Sequence, residues 1–276
     1  MFLANLLLAN LLLPYHYGTL TLMILNAAVL SIFTGFGTDS IILYSLANKK
    51  WTIGQALTFT RNSLFIQVVI FILSEAISIG FLNKTLLSRN EISFLIPESA
   101  FFLGLIFTDK LVVLFYSIQK AFLANCILAI SAITFFVLLI YYSYVHKVET
   151  SSLILLFSLQ SLIQGLLLLT IYFIINKEPF AKFSMQAIVD ALKLSSIVMI
   201  TNVIQFFAYR VDYYFIEKFD SEFEVGVFAQ SNKIANLMWI IPNIFALLLI
   251  PKLSQLTVTQ HQTILKIAII KNFVLS

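Results

Sequence analysis

Long apolar runs alternate with short polar connections along the whole chain. A helix that crosses the ~30 Å hydrocarbon core of a bilayer needs about 20 mostly apolar residues. By that measure the pattern predicts complete transmembrane helices at residues 17–47, 62–82, 93–117, 121–145, 151–175, 192–217 and 224–251. Shorter apolar pieces at 2–13 and 263–276 cannot cross alone, and we expect them to be parts of two further helices.

The composition agrees with a membrane protein. Of the 276 residues, 60% are hydrophobic and 11% are charged, whereas about 25% are charged in an average soluble domain. The mean hydropathy of +0.97 excludes a soluble globular protein and a disordered chain. The predicted fold class is therefore all-α, a polytopic transmembrane helical bundle.

Basic residues indicate topology rather than a nucleic-acid surface. The net charge of +4 is spread thinly between apolar runs, so we expect no nucleic-acid partner. With the N-terminal side in the cytoplasm, the inner connections hold nine basic residues and the outer ones four. The inner set is Lys49, Lys50, Arg61, Lys120, Lys177, Lys182, Lys193, Lys252 and Lys266, and the outer set is Lys84, Arg89, Lys147 and Lys218. The excess favours this orientation.

The sequence lacks the short motifs that carry enzyme chemistry. His16, His146 and His261 are far apart, and the single Cys126 lies within an apolar run. No nucleophile–base pair or glycine-rich phosphate loop is present. We therefore expect no enzyme activity, no cofactor and no metal.

The longest inner connection predicts a division into two lobes. It runs from Asn176 to Lys193 and contains Pro179, so we place the first lobe at 1–178 and the second at 179–276. Gly18 and Gly226 each open a long helix, in the second helix of each lobe. Internal repeats of this kind occur in many secondary transporters.

Polar residues within the predicted spans form two stripes. Residues advance by about 100° along a helix, which places Asn202, Gln205 and Asp212 on one face about 100° wide, together with Tyr209 and Tyr213. In the next span the same spacing aligns Asn232, Asn236 and Asn243. Both stripes predict hydrogen bonding inside the bundle.

Charged residues accompany these stripes. Arg210 and Asp212 precede the connection between the two helices and Lys233 follows it, about 8–14 Å into the membrane. A charge near the bilayer centre costs about 2.5–3.5 kcal/mol on insertion scales, so it needs a partner or a wet cavity. We predict a cationic, amide-lined cavity for an anionic, hydroxyl-rich solute such as a sugar phosphate. The alternative is an ion pair that only fixes the helical hairpin.

Acidic residues in the first lobe suggest ion coupling. Glu75 lies within a span, and Asp39 follows the small residues Gly35 and Gly37. Either carboxylate could take up a proton or sodium ion; the alternative for Asp39 is capping or packing. Glu98 and Asp109 share a face by spacing, but interfacial placement of Glu98 and pairing of Asp109 with Lys110 explain them without coupling.

Several stretches resemble a known family. They are Leu13-Pro14-Tyr15-His16-Tyr17-Gly18, Thr34-Gly35-Phe36-Gly37-Thr38-Asp39, Tyr209-Arg210-Val211-Asp212, Glu224-Val225-Gly226-Val227-Phe228-Ala229 and Ile250-Pro251-Lys252-Leu253-Ser254. In order and hydropathy the chain resembles the polysaccharide transport (O-antigen and capsule flippase) branch of the multidrug/oligosaccharidyl-lipid/polysaccharide exporter superfamily.

The resemblance implies a two-lobe exporter with twelve or more helices, of which this chain would contain the first lobe and an incomplete second lobe. It implies movement of undecaprenyl-diphosphate-linked oligosaccharide across the bacterial cytoplasmic (inner) membrane by alternating access, coupled to protons or sodium. Arg210, Asp212 and Lys233 lie on matching stretches, so the resemblance gives them the lumenal role of meeting the substrate.

Other functions remain open. A drug or cation antiporter of the same superfamily would share the fold, and would have an acidic, aromatic lumen. A membrane-embedded polysaccharide polymerase would need a large outer loop with catalytic Arg or Asp residues. A purely structural subunit would pack its polar stripes together without a cavity.

Overall fold

The computed structural model describes residues 2–88, 92–145, 150–176, 178–182 and 185–236. This part of the chain is helical. The helices are α1 (Phe2–Gly35), α2 (Thr38–Ala47), α3 (Ile53–Leu82), α4 (Leu95–Ser117), α5 (Ala121–Val145), α6 (Thr150–Ile175), α7 (Met185–Phe219) and α8 (Glu222–Asn236), with a 3₁₀ turn at Ile92–Phe94. The predicted all-α fold class is confirmed for the described residues.

Among the described residues, six segments are long and apolar enough to cross a membrane: Leu3–Gly35, Ile53–Leu82, Ile92–Ser117, Ala121–Tyr144, Thr150–Ile175 and Ile188–Phe219. They confirm the spans predicted at 62–82, 93–117, 121–145, 151–175 and 192–217, with shifted ends. The span predicted at 224–251 begins as α8, and its remainder lies outside the described residues, as does the piece at 263–276.

One of the predictions for the N-terminal end is wrong. The error is the single span at 17–47, which the break at Gly37 divides into the end of α1 and the short helix α2. The predicted end of the first apolar piece at residue 13 is confirmed, because α1 consists of two helical parts that meet at a kink at Leu13. Pro14 disfavours helical dihedrals at the preceding residue, and Leu13 has φ 62° and ψ 160°. The second break lies at Gly37, whose φ of 65° suits glycine, and whose missing side chain lets α7 approach.

The polar and apolar side chains of α3 lie on different faces of the helix, and their distribution indicates the solvent around it. Its buried residues include polar side chains three, four or eight residues apart along one face, while large apolar side chains such as Phe65, Ile72 and Phe81 are exposed. The buried polar row is Thr60, Ser63, Gln67, Glu75 and Ser78. This arrangement is the reverse of a soluble helix and fits a lipid surround, because hydrocarbon solvates the apolar side chains and cannot satisfy the polar ones.

The helices from α2 through α7 share one apolar core of buried aromatic and aliphatic side chains. Phe115 of α4 is fully buried and meets Tyr172 of α6 edge-on, with ring centroids 5.4 Å apart. The neighbouring helices contribute further buried side chains to this core: Ile42 from α2, Leu57 from α3 and Ala124 from α5. This core holds α2, and thereby the break at its N-terminus, against the rest of the bundle.

Helices α4 and α6 pack closely through glycine. A Cβ at Gly104 would overlap the backbone of Ser161 and Leu162, and a Cβ at Gly165 would lie 2.9 Å from Cβ of Phe107. Small residues at such crossings allow backbones in membranes to come into direct contact. The pair therefore depends on the absence of side chains at two positions.

The repeat-related glycines Gly18 and Gly226 also meet. A Cβ on either one would overlap the carbonyl oxygen four residues before the other, which belongs to Glu222 in one direction and to Pro14 in the other. Beside this crossing, the hydroxyl of Thr19 donates a hydrogen bond of 2.5 Å to the Glu222 carboxylate. An internal repeat would give such a near-symmetric contact; the repeat itself stays a prediction.

The chain separates into two compact units, Met1–Val227 and Phe228–Ser276. Within the first unit α7 packs against α1 and α2. The described portion of the second unit is the remainder of α8, up to Asn236. The predicted lobe division between residues 178 and 179 stays a prediction.

We expect Gly104→Ala to lower the free energy of unfolding by about 1–3 kcal/mol, because the new methyl group forces α4 and α6 apart. Gly80→Ala is the matched control, since Gly80 is also helical and a Cβ there has no atom within 4 Å. Thermal unfolding of the full chain in detergent measures both. Equal melting temperatures for the two variants would contradict the close crossing.

Candidate functional site

A polar cavity lies between α1 and α7. It has a volume of about 300 Å³ and is lined by Ile32, Asn202, Gln205, Phe206, Tyr209 and Arg210. Four of these side chains, all from α7, offer hydrogen-bonding groups. The spacing of three and four residues keeps Asn202, Gln205 and Tyr209 on one side of the helix, and Arg210 follows Tyr209 directly. Such a surface can bind hydroxyl groups and an anion together.

A second cavity adjoins the first and shares Ile32 and Phe206 with it. It has a volume of about 310 Å³ and is lined by Asn26, Val29, Ile32, Phe33, Val203, Phe206, Phe207 and Tyr214. Its lining is mainly aliphatic and aromatic. The Tyr214 hydroxyl donates a 2.8 Å hydrogen bond to Oδ1 of Asn26, which ties α7 to α1 across the cavity wall. Together the two cavities form one groove, which we call the α1–α7 groove.

The structure brings together part of the predicted α7 stripe. Asn202, Gln205 and Tyr209 line the polar cavity, whereas Asp212 is exposed and lines neither cavity and Tyr213 is buried. The helical projection had placed Arg210 at the margin of the stripe, yet its long side chain reaches the same cavity. Binding of substrate by these residues stays a prediction.

Arg210 is the charged residue of the groove lining. Its guanidinium carbon lies 5.8 Å from the ring centroid of Tyr213, a distance typical of a cation–π contact. Within the described residues it forms no ion pair with a carboxylate. Its hydrogen-bond donors can therefore meet an anionic ligand, and an Arg fork matches a phosphate in two-point contact.

The second predicted stripe is described only in part. Asn232 and Lys233 lie on α8, where both are half-buried, and Asn236 is the last residue of that helix. Asn243 lies outside the described residues, and so does the side chain of Asn236. Because these residues belong to the second unit, their proximity to Arg210 and Asp212 stays a prediction.

A buried ion pair lies at the break between α1 and α2. Lys110 of α4 is 1% exposed, and its Nζ lies 2.5 Å from Oδ1 of Asp39 and also contacts the Thr38 hydroxyl. Thr38 in turn lies 3.2 Å from Oγ of Ser63 on α3. The cluster joins α2, α3 and α4, since a buried ammonium group needs both a counter-charge and hydrogen-bond acceptors.

This pair corrects an expectation from the sequence. Lys110 pairs with Asp39 and not with Asp109, its neighbour in sequence. Consecutive residues point about 100° apart on a helix, and Asp109 is exposed while Lys110 is buried. Asp39 thus has a structural partner, although 40% of its side chain remains exposed.

The surroundings of Glu98 were not foreseen from the sequence. Its side chain is fully buried in the first turn of α4, whereas Asp109 on the same helical face is exposed. The interfacial position of Glu98 stays a prediction. Glu98 and Glu75 both accept hydrogen bonds from the segment 85–88 that connects α3 to α4. The inward row of polar residues on α3 was the sequence signal for this site.

Together these observations define a multi-pass helical membrane protein with polar clusters buried among its helices and a groove that is half polar and half apolar. A family model for polysaccharide biosynthesis proteins matches residues 7–274, and the chain belongs to that family. No curated protein and no solved structure matches the chain. The family agrees with the resemblance inferred from the sequence.

We expect Lys110→Met to lower the free energy of unfolding by about 3 kcal/mol, near the lower limit for breaking a buried pair, because Asp39 is partly exposed. Asp39→Asn should cost more, since it leaves the buried ammonium group without a counter-charge. The double variant should recover part of the loss.

The control for this pair is Lys120→Met, because Lys120 is exposed. Unfolding of the full chain in detergent gives the four values. If the double variant loses the sum of the single losses, Lys110 and Asp39 are not coupled.

Proposed function

We propose that this protein is a flippase that moves undecaprenyl-diphosphate-linked oligosaccharide, an O-antigen or capsule repeat unit, across the bacterial cytoplasmic membrane. In this proposal the lipid bilayer and the lipid-linked oligosaccharide are its partners, and it carries out no covalent chemistry. Transport proceeds by alternating access and is coupled to a proton or sodium gradient. The family membership and the membrane-spanning helices support a role in polysaccharide biosynthesis at a membrane.

The α1–α7 groove is the observation that carries the proposal. A lipid-linked oligosaccharide is an amphiphile whose diphosphate lies between sugars and a hydrocarbon chain. The groove offers Arg210 for the diphosphate and Asn202, Gln205 and Tyr209 for sugar hydroxyls, next to an apolar cavity. Cavities of about 300 Å³ are at the lower end for small-molecule sites, so the groove would engage the region around the diphosphate rather than the whole substrate.

The ion-coupling residues proposed from the sequence differ in their surroundings. Asp39 is held by Lys110, whereas Glu75 is buried without a described cation within 4 Å. A carboxylate that already has a counter-charge gains little from binding a further cation. Glu75 is therefore the stronger candidate for coupling.

A drug or cation antiporter is the second candidate function. It would need an acidic or aromatic binding surface for a cationic drug. The groove supplies aromatic rings from Phe206 and Tyr209, but its charged lining residue is Arg210, which would repel a cation. The charge of this residue favours an anionic substrate.

The main test is export by the full-length gene in a flippase-deficient strain. We expect Arg210→Ala to reduce export at least tenfold, because a hydrogen bond to a charged group contributes about 1.5–3 kcal/mol. Arg210→Lys should retain part of the activity, since it keeps the charge but loses the planar fork. Lys233→Ala tests the residue predicted from the second stripe.

The matched control is Lys193→Ala, an exposed cation on the same helix. Its export should equal that of the parent protein, and immunoblotting of membranes would show equal amounts of each variant. Normal export by both Arg210→Ala and Lys233→Ala would rule out a cationic substrate site. Export of a lipophilic cation, retained or increased in Arg210→Ala, would favour the antiporter.

A further inference from the structure

A buried carboxylate binds the connection between α3 and α4. Glu98, which is fully buried, accepts hydrogen bonds from the Thr85 hydroxyl at 2.7 Å and from the backbone N–H of Ser88 at 2.9 Å on Oε1. Its Oε2 accepts the N–H of Leu87 at 3.1 Å. Three donors therefore stabilise a negative charge on this residue.

Glu75 approaches the same connection from α3. It is 4% exposed, and its Oε2 accepts the N–H of Leu86 at 3.1 Å. Its Oε1 is buried and has no hydrogen-bond partner among the described residues. The two glutamates accept from the consecutive N–H groups of Leu86 and Leu87, so both carboxyl groups lie against the same short segment. A carboxylate oxygen can only accept, so a buried one without a donor points to a missing proton.

The surroundings of the pair contain no compensating cation in the described part of the chain. Neither glutamate forms an ion pair there, and Lys84 is exposed with its carbonyl oxygen bound to Ser78. From α1 the neutral amide of Asn26 bonds to the carbonyl oxygen of Leu87. The charged residues Arg89 and Glu91 lie outside the described residues.

The donors around the pair distinguish a proton from a metal cation. Sodium binds to oxygen atoms that can direct lone pairs at it. Here the segment 85–88 directs three donors at Glu98 and the Leu86 N–H at Oε2 of Glu75, and these donors occupy lone pairs that a metal ion would need as ligands. A proton between the two side chains needs no further ligands.

We propose that Glu75 and Glu98 form a proton-binding site that holds one proton. The proton is bound to Oε1 of Glu75, which donates a hydrogen bond to the Glu98 carboxylate. The shared proton removes one of two like charges from a buried position and supplies the donor that Oε1 of Glu75 lacks. It also lets both side chains bind the connection between α3 and α4.

Hydrogen bonds link this site to the α1–α7 groove. Leu87 donates its N–H to Glu98, and its carbonyl oxygen accepts a 2.6 Å hydrogen bond from Nδ2 of Asn26. Oδ1 of Asn26 accepts the Tyr214 hydroxyl, and both Asn26 and Tyr214 line the apolar cavity. Loss of the proton creates two adjacent buried charges, which should displace Leu87 and with it the wall of the groove. This link to transport rests on the proposed function, whereas the proton site does not.

Infrared titration of the purified full chain tests the proton site directly. The parent protein should show the carbonyl absorption of a protonated, buried carboxylic acid at neutral pH, and Glu75→Gln should abolish it. Glu178→Gln is the matched control, because Glu178 is exposed, and it should leave the absorption unchanged. Absence of a protonated acid from the parent protein, or its persistence in both Glu75→Gln and Glu98→Gln, would overturn the proposal.

Stability as a function of pH separates the roles of the two glutamates. A glutamate in an unfolded chain has released its proton at neutral pH, so a folded state that keeps the proton loses stability as the pH rises. Glu75→Gln supplies a permanent amide donor to Glu98, so its melting temperature should depend less on pH. The Glu98 carboxylate accepts three hydrogen bonds, and Glu98→Gln puts an NH₂ group in place of one of its oxygens. This variant should therefore have a lower melting temperature at every pH.

Two further outcomes are informative. Stabilisation by sodium but not by potassium, lost in Glu75→Gln, would overturn the assignment of a proton. Tyr214→Phe should keep the infrared signal of the acid but weaken the pH dependence of export. If the acid is present and export by Tyr214→Phe responds to pH like that of the parent, the proton site stands and its link to the groove fails; a parent protein that exports nothing refutes the proposed function alone.

Discussion

Hydrocarbon offers no hydrogen bonds, and the arrangement of this protein follows from that constraint. A buried polar group that finds no partner costs several kcal/mol, so the polar side chains of each spanning helix must meet one another. Helix α3 turns Ser63, Gln67 and Glu75 inward for this reason and presents apolar side chains outward. The usual distinction between an apolar inside and a polar outside is thereby reversed along this helix.

Three of the polar regions in the described part of the chain are attached to α1 or to the break that follows it. Lys110 meets Asp39 where α1 gives way to α2. Asn26 of α1 bonds both to Leu87, next to the glutamate pair, and to Tyr214 in the groove. One helix therefore contacts the regions assigned to an ion pair, to a proton and to substrate. A movement of α1 would change the contacts in all three regions, which is a physical basis for coupling between them.

The sequence was a good guide to the helices but not to the partners of their polar residues. Apolar runs of sufficient length identified the spans from α3 to α7, because length and hydropathy are local properties. The break at Leu13 was located by the end of the first apolar piece, whereas the break at Gly37 was missed, although the neighbouring glycines were visible. Helical spacing correctly grouped Asn202, Gln205 and Tyr209, since those residues share one helix.

The sequence by itself determined that this protein lies in a membrane, where its helices run, and which polar residues share a helical face. Only the tertiary structure decided that Lys110 pairs with Asp39 rather than Asp109, and that Glu75 and Glu98 bind the same connection between α3 and α4. The physical reason is range. Hydropathy and helical periodicity are properties of a single helix, whereas the partner of a buried charge comes from another helix, and its choice depends on how all the helices pack together.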